Sequence, residues 1–539
     1  MLAGERGKLG VMARGGLPVS DPAEAARRIQ QWHVPSAVVA LCFVLAFAAP
    51  VHVAPCGTQA SHYALVRSLA SGTARIDRDA WFTCDKAFFR GHYYSVKPPG
   101  LAVASLPTYL LLDHTGLLPN DMRWAIWLLS LTTLVPAALL LVYLVGRTAE
   151  AIAPGWGRFT AIALGAGTLV LPFGSLWFAH VPAALLAFAA FVIVRRRDDT
   201  LSNVHAFAAG LLAGSAVLFE YPLALVAAAL LLYAGICRDL GTTVRFLAGA
   251  AVPIAGLLLY NRWAFGSILH FSYKYALPLH TTHSGKVVGE NDRGFFGITW
   301  PSGHALAEIL FSPRGLVTLS PICVVGAVAI VLLYRHARAE AVLLGALVAA
   351  FLIYNAGYTL NTAGPFGGDT PGPRFLIAIV PFLLVAAGLV ARAAPGATAA
   401  LLVGSVSAMA LVTATTPLLG EGEEERWTRE LRSGTFVKTF ASDGDSSNWI
   451  TILPFAVPLA VLLLIAVVDA LRAARARPRA AAFSAATAAT AWLLVLEAGH
   501  FLYRSDNQPA AVDAYVLAGA VAVVGVVAAR RARSNAPAA

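Results

Sequence analysis

The chain is a succession of apolar blocks. They recur near 35–54, 100–113, 123–146, 159–176, 178–194, 203–219, 221–237, 244–262, 315–334, 339–356, 373–391, 397–413, 451–470, 482–499 and 512–529. About 20 apolar residues rising ~1.5 Å each cross a hydrocarbon core of about 30 Å. Most of these blocks are roughly that long, and they lack the apolar–polar alternation of membrane β-barrel strands. The expected fold is therefore all-α: a polytopic transmembrane helical bundle of about 13–15 membrane segments. Only 13% of the residues are charged, against about 25% in a soluble domain. That excludes an ordinary soluble enzyme, a disordered chain and a nucleic-acid-binding module, despite a net charge of +11.

The arginines set the orientation. Arg195-Arg196-Arg197, Arg472/Arg475/Arg477/Arg479 and Arg530-Arg531/Arg533 follow directly on apolar blocks, where the positive-inside rule places cytoplasmic loops. Counting back from the C-terminal cluster puts 147–158, 195–199, 238–245, 335–338, 392–396 and 471–480 inside. It puts 55–99, 263–314, 357–372 and 414–450 outside. Residues 1–34 are expected to be cytoplasmic and carry no cleavable signal, because the first apolar block is too long for a signal-peptide core. Block 100–113 breaks the parity; its 14 residues make about 21 Å of helix, so a half-crossing or strongly tilted segment is expected there. The chain has six lysines, and five of them (Lys86, Lys97, Lys274, Lys286 and Lys438) fall on expected outer segments.

Cys42, Cys237 and Cys323 lie in or beside apolar blocks and read as small core residues. Cys56 and Cys84 share the first polar loop. A disulfide between them would close a loop worth about 3.5 kcal/mol in chain entropy; two free thiols are the alternative. No cysteine spacing suggests zinc.

Transporters keep ionisable residues at membrane depth. Here Glu220 and Glu497 are the clear cases, with His180 at a block edge. Polar and aromatic residues collect instead on the expected outer loops, which points to chemistry at the membrane surface. The densest stretch runs from Ser61-His62-Tyr63-Ala64 through Arg67, and then from Thr83-Cys84-Asp85-Lys86 to Val96-Lys97-Pro98-Pro99-Gly100. Residues 64–68 suit a short amphipathic helix on the membrane. Pro98-Pro99 must interrupt any helix before 100, which holds Lys97 at the mouth of the short apolar block. An ammonium there suits a lipid phosphate; an interfacial snorkelling lysine is the plainer alternative.

A first loop with a Tyr-Ala…Arg helix and a Lys-Pro-Pro turn before a short apolar segment resembles the GT-C glycosyltransferases, in particular the GT39/aminoarabinose-transferase-like branch. Leu310-Phe311-Ser312-Pro313-Arg314-Gly315-Leu316 and Gly367-Gly368-Asp369-Thr370-Pro371-Gly372-Pro373-Arg374 resemble recurring elements of bacterial members. The likeness covers roughly 35–392, the expected catalytic transmembrane module; 393–539, with outer loop 414–450, is expected to be a C-terminal set of helices. The resemblance implies an outward-facing cavity in a bacterial cytoplasmic membrane. There a sugar would pass, with inversion, from a polyprenyl-phosphate donor to a cell-envelope glycan, lipid or protein acceptor. It implies a carboxylate base on the first loop and, in some members, a divalent cation such as Mg or Mn. A lipid-linked-sugar flippase and an inactive scaffold are the rival readings.

The match fails at one point. The branch has an acidic residue three positions before an Arg-Tyr pair, and the matching residues here are Gln59, His62 and Tyr63. Glutamine cannot be a base. Asp85 is the expected base or metal ligand, with an ion pair to Lys86 or Arg90 as the alternative. His62 is a second catalytic candidate, since imidazole titrates near neutrality. Asp77 and Asp79, which alternate with arginines, are candidates for substrate or metal, or else form a solvated charge run. Lys97, Arg374, Arg67 and Tyr63 are the expected donor or phosphate contacts, Arg374 because a guanidinium pairs bidentately with phosphate. Asp369 is a further candidate for sugar hydroxyls or metal. Tyr273, Lys274, Tyr275, His280 and His283 are expected to cover the acceptor side, and Glu220-Tyr221-Pro222 to form a turn.

Overall fold

The structure is a computed structural model, and it describes residues 33–52, 57–195, 202–278, 280–281, 287–289, 297–358, 364–420, 422–442 and 447–502. Cys56, His283, Lys286 and the block 512–529 lie outside them, as do residues 1–32.

The chain is a multi-pass helical membrane protein. Among the described residues six helices are long and apolar enough to cross a bilayer: Met122–Ile152, Leu240–Phe265, Arg338–Ala356, Pro395–Ala414, Leu453–Ala474 and Pro478–Phe501. Shorter apolar helices stand beside them, among them Ser36–Ala48, His180–Val194 and Asn203–Phe219. Several expected blocks are not single helices. Block 373–391 divides into Arg374–Ala378, Val380–Leu384 and Gly388–Ala393. Block 315–334 is cut at Ser320-Pro321, where Gly303–Leu319 and Ile322–Leu333 meet at 92°. Block 100–113 is the helix Gly100–His114, about 22 Å long and shorter than a hydrocarbon core.

One apolar core runs from Cys42 to Ala470. Phe43, Phe47, Phe159, Phe173, Phe188, Phe191 and Phe382 are fully buried in it. The strands are three short antiparallel pairs, and two of them tie the polar segments. Pro50–Val51 pairs with Lys438–Thr439, and Lys86–Phe89 pairs with His92–Ser95. The second is a tight hairpin on Arg90-Gly91, with φ of 49° and 83°, the left-handed turn that matches strand twist.

The four segments expected outside meet at one end. Leu277 donates its N–H to Lys86 O at 3.0 Å, and Val437 to Ala414 O at 2.8 Å. Arg314 Nη1 donates to the carbonyls of Thr370 and Leu419. At the other end the arginine-rich segments meet: Arg158 Nη2 is 2.5 Å from Asp469, Arg392 donates to Pro154 O and Arg238 to Val194 O.

Candidate active site

The first loop builds the floor of the site. Thr58–Ala70 is a helix buried over most of its length. At 100° per residue, Thr58, Ser61 and His62 share one side of it and Arg67 lies about 180° from Thr58. The Arg90-Gly91 hairpin then returns the chain, so that Asp85 enters the first strand and Lys97 leaves the second, side by side. Ser61 stitches the helix to both strands, donating to Asp85 O at 2.6 Å and meeting Ser95 Oγ at 2.8 Å.

Lys97 Nζ lies 2.5 Å from Asp85 Oδ2, with the two side chains 11% and 26% exposed. Thr58 Oγ1 donates to the same oxygen at 3.0 Å and accepts from Arg374 Nη1 at 3.4 Å. Burial works against the charge of Asp85, but the Lys97 ammonium, Arg374 and the Thr58 hydroxyl outweigh it and hold the carboxyl below its usual range. Burial likewise lowers Lys97, with Asp85 opposing. The expected alternative partners of Asp85 are engaged elsewhere: Lys86 donates to Ala80 O and Arg90 lies over the Phe89 ring at 5.1 Å.

Arg374 comes from the Gly/Pro-rich bend, over Phe375 at 5.2 Å and Phe178 at 5.9 Å. A Cβ on Gly367 would sit 2.6 Å from Arg374 Nε, so only glycine leaves the guanidinium its place. His180 Nδ1 is 3.3 Å from Glu220 Oε1, and both side chains are buried. Glu220, Arg374 and Asp85 all act on Lys97, so the turns at 177–180, 220–222 and 364–374 close over the first loop.

His62 is fully buried against Trp177, edge to face at 6.1 Å. Burial, with Lys97 adding to it, drives its pKa down to about 3, so the ring is neutral at physiological pH. Gln59 Oε1 accepts the backbone N–H of Trp177 at 3.0 Å.

The site thus gathers Asp85, His62, Lys97 and Arg374. The other expected residues stand apart. Arg67 pairs with Asp79 at 3.4 Å and lies over Tyr63 at 5.8 Å, and Tyr63 packs edge to face on Tyr109. Asp77 takes His92 Nδ1 at 2.7 Å and the Tyr93 N–H at 2.7 Å, bracing the hairpin. Asp369 is exposed on its loop, near Gly420. The hydroxyls of Tyr273 and Tyr358 meet, and Tyr275 is hydrogen-bonded to His270. Cys84 is disulfide-bonded while Cys42, Cys237 and Cys323 are free; Cys56, its expected partner, is outside the described residues. Among the described residues no three His, Cys, Asp or Glu side chains are grouped to hold a metal ion. The Asp85 carboxylate is engaged by the Lys97 ammonium.

Sequence reasoning missed Thr58, Trp177 and the His180–Glu220 pair, and dismissed Gln59. The spacing of Thr58, Gln59 and His62 on a helix was the available signal; Trp177 and Arg374, which they meet, come from more than 100 residues away.

No family model and no curated protein matches the chain. Among solved structures it is similar to ArnT from Cupriavidus metallidurans in the apo state. The identity is 15% over 88% of this chain and 77% of that one, with a TM-score of 0.48. It is likewise similar to ArnT from Cupriavidus metallidurans bound to undecaprenyl phosphate, at 15% identity over 92% of this chain and 77% of that one, with a TM-score of 0.44.

Proposed function

We propose that the chain is a membrane glycosyltransferase. It moves a sugar from a polyprenyl-phosphate donor to a cell-envelope acceptor at the outer face of a bacterial cytoplasmic membrane, with inversion. The observation that carries this reading is the cluster in which Lys97 pairs with Asp85 beside the Arg374 guanidinium, at the start of a helix too short to span the bilayer. A lipid phosphate entering from the membrane meets two cations there, and the apolar helix flanks its chain.

The chemistry balances on these residues. The acceptor oxygen attacks the anomeric carbon while the bond from that carbon to the phosphate oxygen breaks. The carrier leaves as polyprenyl phosphate, its new charge met by Lys97 and Arg374. The acceptor proton passes to Asp85, whose Oδ1 takes no hydrogen bond from the described residues. Once the donor phosphate shares the Lys97 ammonium, burial dominates at Asp85 and raises its basicity when a base is required.

The test is transfer from polyprenyl-phosphate sugars by the purified chain in detergent. Asp85→Asn is expected to slow transfer about 10²–10⁴-fold, the usual range for a lost general base, while keeping affinity for polyprenyl phosphate. Lys97→Met is expected to weaken that affinity itself. Full activity in Asp85→Asn refutes the assignment.

A further inference from the structure

Four polar atoms around this cluster are buried without a hydrogen-bond partner among the described residues: Gln59 Nε2, both ring nitrogens of His62, and Arg374 Nε. Gln59 is 2% exposed and His62 fully buried. Unpaired buried polar groups are unfavourable and rare, so several beside one charged cluster mark where a ligand's polar atoms go.

Their chemistry is specific. Gln59 commits its oxygen to the Trp177 N–H, which leaves an amide NH₂ as donor. His62 is neutral, with one donor and one acceptor nitrogen, and stands on the Trp177 ring. These are partners for hydroxyl groups.

The groups beside them leave little charge unmatched. Lys97 meets Asp85, and at the Glu220–His180 contact burial favours both neutral forms, raising Glu220 to about 7 and lowering His180 well below its usual range. Arg374 has no carboxylate partner among the described residues and is left to balance the single charge of a phosphodiester. A cationic sugar would sit near Arg374 and Lys97, and an anionic one would be buried beyond the cations the phosphate needs.

We propose that Gln59 and His62 form the subsite for the donor's sugar ring, and that this sugar is uncharged. The proposal rests on the glycosyltransferase reading above.

The experiment measures binding to the full chain in detergent. The probes are undecaprenyl phosphate alone and its glycosides of four neutral sugars (glucose, galactose, mannose, arabinose), of glucosamine and of glucuronate. The best neutral glycoside is expected to bind at least tenfold tighter than the bare carrier, and the two charged ones no tighter than the carrier.

In His62→Phe the tenfold gain is expected to vanish, with carrier affinity unchanged within twofold. Its melting temperature is expected not to fall, because the phenyl ring keeps the edge contact with Trp177 and removes two unpaired nitrogens. A charged glycoside binding as tightly as the best neutral one overturns the proposal, and if Glu220→Gln abolishes tight glucosamine binding, Glu220 is the sugar contact instead. Loss of carrier affinity or of several degrees of melting temperature in His62→Phe overturns it too, marking the histidine as structural. Carrier binding with no sugar gain defeats this inference alone; no carrier binding to the wild-type chain defeats the glycosyltransferase reading with it.

Discussion

His62 and His52 are two residues through which pH acts on stability; His180 acts in the same direction, and Glu220, raised from 4.5 to about 7, opposes them in part. His62 and His52 are both buried, the latter with its Nε2 2.8 Å from Ser175 Oγ, and burial takes both from 6.5 to about 3. Between those values the unfolded chain binds protons that the folded chain refuses, so stability rises with pH across the window. The contribution is complete above about pH 6.5 and is lost as pH falls toward 3. Asp85, lowered from 3.8, acts in the same direction at the acid end. The melting temperature in detergent should be level from pH 8 to 7 and fall between 6.5 and 4; a level profile throughout contradicts the burial of the two rings. At this scale the sequence singled out Lys97 and Arg374, because Pro98-Pro99 and the Gly/Pro bend fix the backbone on which each sits. It did not reveal that Lys97 pairs with Asp85. That pairing depends on the Arg90-Gly91 turn, a two-residue hairpin signal easily lost among aromatic residues. Gln59 was judged on whether it could be a base, and its observed role is as the acceptor of the Trp177 backbone N–H.

Among the elements, the buried Arg314 holds the site's roof. Its Nε is 3.1 Å from Glu424, its Nη1 donates to Thr370 O and Leu419 O at 3.3 and 3.0 Å, and its guanidinium covers Phe366 at 4.4 Å. One side chain thereby fastens the C-terminal outer loop to the bend that ends in Arg374. Glu424→Gln would remove one charged partner of a buried cation, a loss of about 2 kcal/mol. A lower melting temperature and several-fold weaker polyprenyl-phosphate binding are expected in detergent; unchanged values for both would show the brace to be idle. The Ser-Pro-Arg-Gly motif was visible in the sequence, but its partner was not, because Glu424 lies 110 residues on, in a segment resembling nothing. Broken helices were illegible for a related reason. Pro321 and Pro381 lie in apolar runs whose composition is that of continuous spans, and only packing shows where the axis turns, as in the 92° bend at Ser320-Pro321.

For the molecule as a whole, hydrophobic blocks and arginine runs announced a helical membrane protein with its polar segments on one side, and those segments do meet at one end. The number of crossings was less legible, since runs such as 373–391 are apolar without being single helices. The disulfide at Cys84 adds something the arginines cannot. It is formed by the residue immediately before Asp85, and such bonds persist only in oxidising surroundings. Treatment with dithiothreitol should therefore slow transfer and lower the melting temperature together; transfer indifferent to reductant would separate the bond from the base. On the glycosyltransferase reading proposed above, a copy inserted upside down would assemble the same helices with Cys84 reduced and Asp85 less firmly held, so that thiol chemistry would repeat after insertion the choice of side that the arginines make during it.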